Sequence, residues 1–371
     1  MAEEVSPIGK PSVEDQRPEA AQARLAELMS ATGQASGQVN STPLDLASPE
    51  PVGVGPAGPP MLIPKEERAR YVDFAVQLSR DLGSIAIPPD KILWHYTNGS
   101  ALLAILESMS IYSTHISCLN DTTELRYGSK LFQEALANLR QTATDNAALR
   151  LLDGALSYFK ENPDSPAQAV AIHFVACFSE KRDDLSQLRA YGNGENGYAI
   201  GFRAGDLWGC PNSALVRISY DESLHRQLAR KAAEAMVDFA MDGLRKYAPP
   251  EPERWGAEFL EAWEKAITLV APLIKDPAFS NENECRITKG SASNDLEGIR
   301  FVQKGSMMSR HLPLQPPGRT PTMPYRLPIA EIIVGPSRHP QTSRTSVDTL
   351  LRQKGYPTGL VSISKIPFQV T

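Results

Sequence analysis

The residues best suited to chemistry in this 371-residue chain are one histidine and two glutamates, far apart in sequence. His95 stands in Trp94-His95-Tyr96-Thr97, at the end of a short apolar run and directly ahead of a helix signal. An imidazole ordinarily titrates near neutrality, so it can accept or donate a hydrogen bond with little adjustment. Glu282 and Glu284 stand in Phe279-x-x-Glu282-x-Glu284-x-Arg286. On a strand that begins early enough, the two carboxylates project to the same side, and a fixed carboxylate stabilises positive charge developing at a reacting centre. Arg189 and Arg286 carry guanidinium forks that suit phosphate oxygens or, equally, a neighbouring carboxylate such as Glu180, Glu282 or Glu284. Tyr191 and Tyr198 are flanked by Gly192, Gly194, Gly197 and Gly201, glycines that serve either close approach of a ligand or an ordinary hairpin.

The elements that must position these groups alternate between short strands and helices. Apolar or β-branched runs bounded by turn residues predict strands at 92–94, 111–113, 171–179, 197–202, 214–220, 285–289, 299–303, 331–334 and 360–364. Helical spacing predicts helices at 66–82, 122–140, 146–160, 222–247, 254–274 and 346–354. Asn98-Gly99-Ser100 reads as the turn into a further helix with Leu102, Ile105, Leu106 and Met109 on one face. The sum is one mixed α+β domain over 61–371, its strands largely antiparallel, with the 222–275 helices as an insertion or cap.

Residues 1–60 differ in kind: nine prolines, six glycines, no aromatic residue, and three Lys/Arg against eight Asp/Glu. Such a stretch buries too little apolar surface to offset its ordering entropy, which predicts a disordered leader. Within it, 19–30 can form one weak helix with Leu25, Leu28 and Met29 on a face, a segment suited to partner docking or export. Beyond residue 60 the chain carries 35 basic and 35 acidic residues, so no global charge draws it to nucleic acid or membranes. No apolar run is long enough for a membrane span and the start lacks a secretory pattern, so a cytoplasmic protein is expected, or one exported as an effector. Cys118, Cys177, Cys210 and Cys285 form no Cys-x-x-Cys pair, and the histidines have no ligand-like spacing, so neither a disulfide framework nor a metal centre is expected.

Six blocks in register resemble the bacterial family of domain of unknown function 2971. They are Trp94-His95-Tyr96-Thr97; Leu119-Asn120-Asp121 with Glu124; Ala176-Cys177-Phe178-Ser179-Glu180; Ser186-Gln187-Leu188-Arg189-Ala190-Tyr191-Gly192 running into Gly197-Tyr198-Ala199-Ile200-Gly201-Phe202; the Glu282/Glu284 block; and Glu331-Ile332-Ile333-Val334-Gly335-Pro336. One departure is Leu188, where many members have tryptophan.

The order of residue types also resembles, more loosely, the His-Tyr-Glu class of the ADP-ribosyltransferase superfamily. That resemblance implies an ADP-ribosyltransferase-like fold and NAD as substrate. It implies that His95 and the polar residue after it hold a ribose, that an aromatic packs on the nicotinamide, and that a late glutamate bonds the ribose hydroxyl. Breaking the nicotinamide glycosidic bond develops oxocarbenium character, which a fixed carboxylate stabilises. Glu284 is the expected catalytic carboxylate, with Glu282 orienting the acceptor in a Glu-x-Glu pair similar to that of mono-ADP-ribosyltransferases, which normally combine it with arginine rather than histidine at the first motif. His95, Tyr96, Thr97, Ser113, Asn120, Ser179, Arg189, Tyr191 and Tyr198 are the expected NAD-contacting residues.

Each has a structural alternative. His95 can be a core histidine beside Trp94, and Tyr96 can pack on the opposite face. Thr97 and Ser100 can cap the next helix. Asp121-Thr122-Thr123-Glu124 makes a capping box, which leaves Asn120 the less explained residue. No Gly-x-Ser-x-Gly, Walker loop or His-Glu-x-x-His is present, and Gly192-x-Gly194 lacks a following helix signal. The expected function is therefore ADP-ribosyl transfer to a protein or nucleic-acid acceptor, or NAD hydrolysis, in a toxin, effector or anti-phage setting. The alternatives are a magnesium nuclease built on Asp121, Glu124, Glu282 and Glu284, or a nucleotide-binding module without chemistry.

Overall fold

The computed structural model describes residues 62–82, 87–119, 123–161, 173–192, 197–207, 213–290, 298–304, 306–314 and 326–367. The expected leader, its helix at 19–30, and Asn120 with Asp121 lie outside the described residues.

Among the described residues ten strands make one sheet: β1 (Ile92–Thr97), β2 (Ile111–His115), β3 (His173–Ser179), β4 (Tyr198–Arg203), β5 (Ser213–Arg217), β6 (Glu284–Gly290), β7 (Arg300–Lys304), β8 (Met307–Leu314), β9 (Ile329–Val334) and β10 (Val361–Ile363). The order runs β10-β9-β4-β1-β3-β2-β8-β7, with β6 on the other edge of β3 and β5 beyond β6. All named strand pairs are antiparallel except β9 with β10. The helices are α1 (Lys65–Asp81), α2 (Gly99–Ser108), α3 (Thr123–Thr142), α4 (Asn146–Glu161), α5 (Leu185–Tyr191), α6 (Ala204–Leu207), α7 (Glu222–Tyr247), α8 (Pro252–Ile267) and α9 (Pro340–Gln353). The mixed α+β class with mostly antiparallel strands is the one expected.

Alternation along each strand assigns the core to two sides of the sheet. One side, with Leu93, Phe178, Ile200, Cys285 and Ile332, buries Leu102 and Leu106 of α2 and Leu351 of α9. The other side is divided. Over β1, β4 and β9 it carries Trp94, Tyr96, Ala199 and Ile333 beneath Leu188 of α5. Over β5, Ala214 and Val216 join a helical core made by α1, α3, α4, α7 and α8. The 222–275 helices thus share one core with three helices from earlier in the chain.

That helical core is aromatic. Tyr71 packs edge-on against Phe239, Phe259 and Trp263, while Trp255 stacks on Phe259 at an interplanar angle of 10°. A carboxylate ties its outer edge: Glu67 of α1, almost wholly buried, accepts from Arg70 at 2.7 Å and from Lys246 and Tyr247 of α7 at 2.8 Å each.

Several elements depart from expectation: the helix expected over 254–274 ends at Ile267, where the 3-10 helix Thr268–Leu273 with Pro272 takes over, and the single turn α6 had no helical spacing to announce it. β8 escaped notice because Met307–Leu314 lacks clean alternation and contains Pro313, which lies opposite Tyr112 on β2. α9 begins at Pro340, where proline at the first helical turn costs no hydrogen bond. α5, only seven residues long, is opened by Asp184, whose side chain accepts from Gln187 N at 3.1 Å.

Gly243 of α7 lies against Trp255 so closely that an added Cβ would stand 2.6 Å from the indole. Trp255 is 1% exposed and has nowhere to retreat. Gly243→Ala therefore loses about 1–3 kcal/mol to overpacking despite its better helix propensity. Urea unfolding is the measurement; a stability equal to or above wild type would contradict the packing described.

Candidate functional site

The sheet forks at β3. β1 meets β3 only at Trp94–Ser179, and β2 meets it only at Thr114–Val175 and His115–Phe174. Over Ala176, Cys177 and Phe178 the shared edge of β3 therefore has neither strand in register, among the described residues. The imidazole of His95 fills part of this break: Nδ1 donates to the Cys177 carbonyl at 2.9 Å. A carbonyl only accepts, so the proton sits on Nδ1 and the neutral ring presents Nε2 as an acceptor. Burial lowers the ring's pKa, and the bond to the Cys177 carbonyl opposes this in part. The ring lies 5.6 Å from Phe178, and the residue is half-buried.

On the opposite side of the pleat lies a cluster of charge. Ser179 of β3 faces both Trp94 and Glu284, which puts Glu284 on the Trp94 side and not on the His95 side. Arg286 forks onto Glu284, Nε to Oε1 at 2.7 Å and Nη2 to Oε2 at 3.0 Å, and its Nη1 donates to the Pro272 carbonyl at 3.1 Å. Lys275 Nζ donates to Glu284 Oε2 at 3.1 Å and to Glu282 Oε2 at 2.7 Å. Both cations are buried, as is Glu284, whereas the Glu282 side chain is 25% exposed. Burial alone would raise the Glu284 pKa, but Arg286, Lys275 and the Cys177 thiol together hold it down at about 2.

Around this cluster stand two phenols. The Tyr220 hydroxyl accepts from Glu284 N at 3.1 Å. Tyr191, half-buried against Trp94, Tyr96 and Leu188, has its phenol pushed above the ordinary value by burial and by Cys177, Glu284 and Glu282, with Lys275 pulling the other way.

The expected shared strand for the two glutamates is corrected. Glu282 ends a 3-10 helix, Pro277–Glu282, and Asn283 then takes a left-handed conformation at φ 43° before β6 starts at Glu284. The carboxylates converge through Lys275 rather than through strand alternation. Ser179 supports the turn: its hydroxyl donates to the Glu282 carbonyl at 2.6 Å and accepts from Lys181 N at 3.1 Å.

Several of the other expected ligand contacts carry structural hydrogen bonds. Tyr96 is buried, and its hydroxyl donates to the Lys181 carbonyl at 2.6 Å while accepting from Asp184 N at 3.0 Å, which fixes the entry to α5. Burial leads the causes that push this phenol up to about 12. Thr97 is buried inside β1, and the cap of α2 is Asn98, whose side chain accepts from Ala101 N at 2.8 Å. Ser113 is buried and donates to the Leu312 carbonyl at 2.7 Å. Tyr198 stands half-buried opposite Thr97, on the His95 side of the sheet. Arg189 is exposed on α5. Asn120 lies outside the described residues, and the Glu124 side chain is not described. Glu180 is engaged by Arg217 and stands 3.9 Å from Lys91. Sequence reasoning missed Lys275 and Cys177. Lys275 follows a proline-broken apolar run and carries no motif, while Cys177 reads as one more buried thiol. Among the described residues no three His, Cys, Asp or Glu side chains gather so as to hold a metal ion, and no helix is long and apolar enough to cross a membrane.

Residues 187–287 match the family described as Protein of unknown function (DUF2971), which supports the resemblance carried by the sequence blocks. The matched stretch runs from α5 through the helical core to β6, and so contains Tyr191, Tyr220, Lys275, Glu282, Glu284 and Arg286. No curated protein and no solved structure matches the chain.

The depressed pKa of Glu284 has a definite linkage sign. Its folded value of about 2 lies below the ordinary 4.5, so the stabilisation is complete above the unfolded value and is lost as pH falls through the folded one. The contribution is about 3 kcal/mol. Urea unfolding between pH 5 and 2 should accordingly be steeper in wild type than in Glu284→Gln, and parallel curves would contradict the pairing. Arg286→Met leaves the buried carboxylate with Lys275 as its one remaining cation of the two, and should cost about 3 kcal/mol at pH 7.

Proposed function

We propose that this protein binds NAD at the fork of the sheet and breaks the nicotinamide–ribose bond, passing ADP-ribose to a macromolecular acceptor or to water. The observation that carries the reading is the neutral His95, locked by the Cys177 carbonyl with Nε2 presented as an acceptor, at a break in the ladder that has the carboxylate pair beyond β3 on the opposite side of the pleat. A locked acceptor at a sheet break suits a ribose hydroxyl. The accompanying fold reading is ADP-ribosyltransferase-like, a sheet whose halves part around the bound dinucleotide.

The roles of the two glutamates exchange in this proposal. Glu284 has both oxygens engaged by Arg286 and Lys275 and serves to position them. Glu282 is the carboxylate with solvent access, steered by Lys275 and by the Ser179 bond to its own carbonyl, and it stabilises the oxocarbenium-like charge. Tyr191 offers the aromatic surface beside it, and exposed Arg189, on the same helix, suits a phosphate. The nuclease alternative loses ground because the Lys275 ammonium stands between Glu282 and Glu284, where a divalent cation would have to sit. The binding-module reading keeps one supporting observation, the full compensation of Glu284 by two cations.

Incubation with NAD, with free nicotinamide measured by chromatography and affinity by calorimetry, tests the proposal. Glu282→Gln should lower nicotinamide release about 10²–10³-fold with NAD affinity little changed. His95→Ala should weaken NAD binding about tenfold, the loss of one hydrogen bond to a polar ligand group, while the unliganded protein keeps its unfolding midpoint. Binding without release in wild type would make the protein a nucleotide-binding module. Absence of NAD binding, or a His95→Ala variant that loses only stability, would end the NAD reading.

A further inference from the structure

A second concavity lies away from the fork, within the helical layer. Residues of α1, α3, α4, α7, α8 and the 3-10 helix Thr268–Leu273 line a partly open pocket of about 90 Å³. Protein interiors hold few voids larger than a water molecule. The space exists because small residues, Gly128, Ala229, Ala232 and Ala271, stand where larger ones would close it. A Cβ on Gly128 would already touch Ile274 at 3.4 Å.

The lining specifies what fits. Leu131, Phe132, Phe159 and Leu228 supply hydrocarbon and aromatic walls. His225 also faces the space, but its Nδ1 is 3.0 Å from the Tyr127 hydroxyl and its Nε2 is 2.9 Å from that of Ser219, so the ring is already engaged. The Thr268 hydroxyl donates to the Glu264 carbonyl at 2.6 Å. Glu264 itself, 3% exposed, brings a carboxylate to the wall, with Oε2 accepting from Tyr158 at 2.9 Å. A carboxylate oxygen can accept two donors, and it repels another anion.

We infer that this cavity is a binding site for a compact apolar molecule of about one aromatic ring that carries a single hydrogen-bond donor. The ring lies among Phe132, Phe159, Leu131 and Leu228, and the donor meets the Glu264 carboxylate. The site is independent of the fork and of any activity there.

The test uses the full chain with phenol, benzene and benzoate as probes, read by thermal unfolding and by methyl chemical shifts of Leu131, Leu228 and Ile274. Phenol at ten times its Kd should raise Tm by about 2–4 °C. Benzene should bind several-fold more weakly, and benzoate should give no shift. Ala232→Leu fills the space and should abolish the phenol response; Ala229→Leu serves if that variant does not fold, and the methyl shifts of wild type need no variant. Glu264→Gln should admit benzoate. Failure of phenol to raise Tm, methyl shifts that miss all three residues, persistence of the phenol effect in a folded filled variant, or equal responses to phenol and benzoate in wild type would each overturn the assignment.

Discussion

A carboxylate and a guanidinium removed from water together, with an ammonium sharing the carboxylate, impose the tightest geometric condition in this fold. Each of these groups alone would cost several kcal/mol to bury, and only near-ideal hydrogen bonding makes the set tolerable. Arg286 must therefore reach Glu284 two residues away on the same face of β6 and the Pro272 carbonyl beyond the sheet. Lys275 must leave the 3-10 helix 268–273 pointing back toward β6. The backbone between them complies: Asn283 turns left-handed so that Glu282 can join the same ammonium. The seating of the helical layer on β5 and β6 follows from satisfying these charges as much as from burying hydrocarbon.

Electrostatically, the two sides of the fork complement each other. The charged side is compensated, two carboxylates against two cations, and carries a depressed carboxylate pKa. On the other side stands an imidazole kept neutral by burial. The imidazole offers an acceptor on one side of the sheet, and on the other Lys275 holds the Glu282 carboxylate in place. The placement of both sides rests on the supporting bonds of Ser179, Tyr96 and Tyr220 to the backbone around them.

Much of the scaffold was legible from pattern. The helix at Glu222–Tyr247 has the expected bounds, since Asp221 caps it and Leu228, Ala232, Met236 and Ala240 recur at one-turn spacing. β8 was not legible, because its partner β2 lies nearly two hundred residues away and supplies the order that its own sequence lacks. At the site, His95, Tyr191 and the Glu282/Glu284 pair were visible as residue types. Their faces were not: whether His95 and Glu284 share a side depends on the β1–β3 and β3–β6 registers, and a one-residue change in either reverses the answer. Tyr96 and Ser113 were expected as ligand contacts through the family resemblance, whereas their hydroxyls serve backbone carbonyls brought near only by tertiary structure. Lys275 had no local signal, as its role is defined by charges seven and nine residues downstream.

The fork also bears on how the sheet comes apart. β3 is the only strand that joins the β1 side to the β2 and β6 sides among the described residues. Its bond to the β1 side is one registered pair and one imidazole, while its bond to β6 extends over seven. Along this line the backbone ladder has a seam, and the core that holds Leu93, Ile200 and Ile332 together with Phe178 and Cys285 spans it. Packed side chains, with the Nδ1 bond of His95 among them, therefore carry across the seam the continuity that the backbone ladder gives up there.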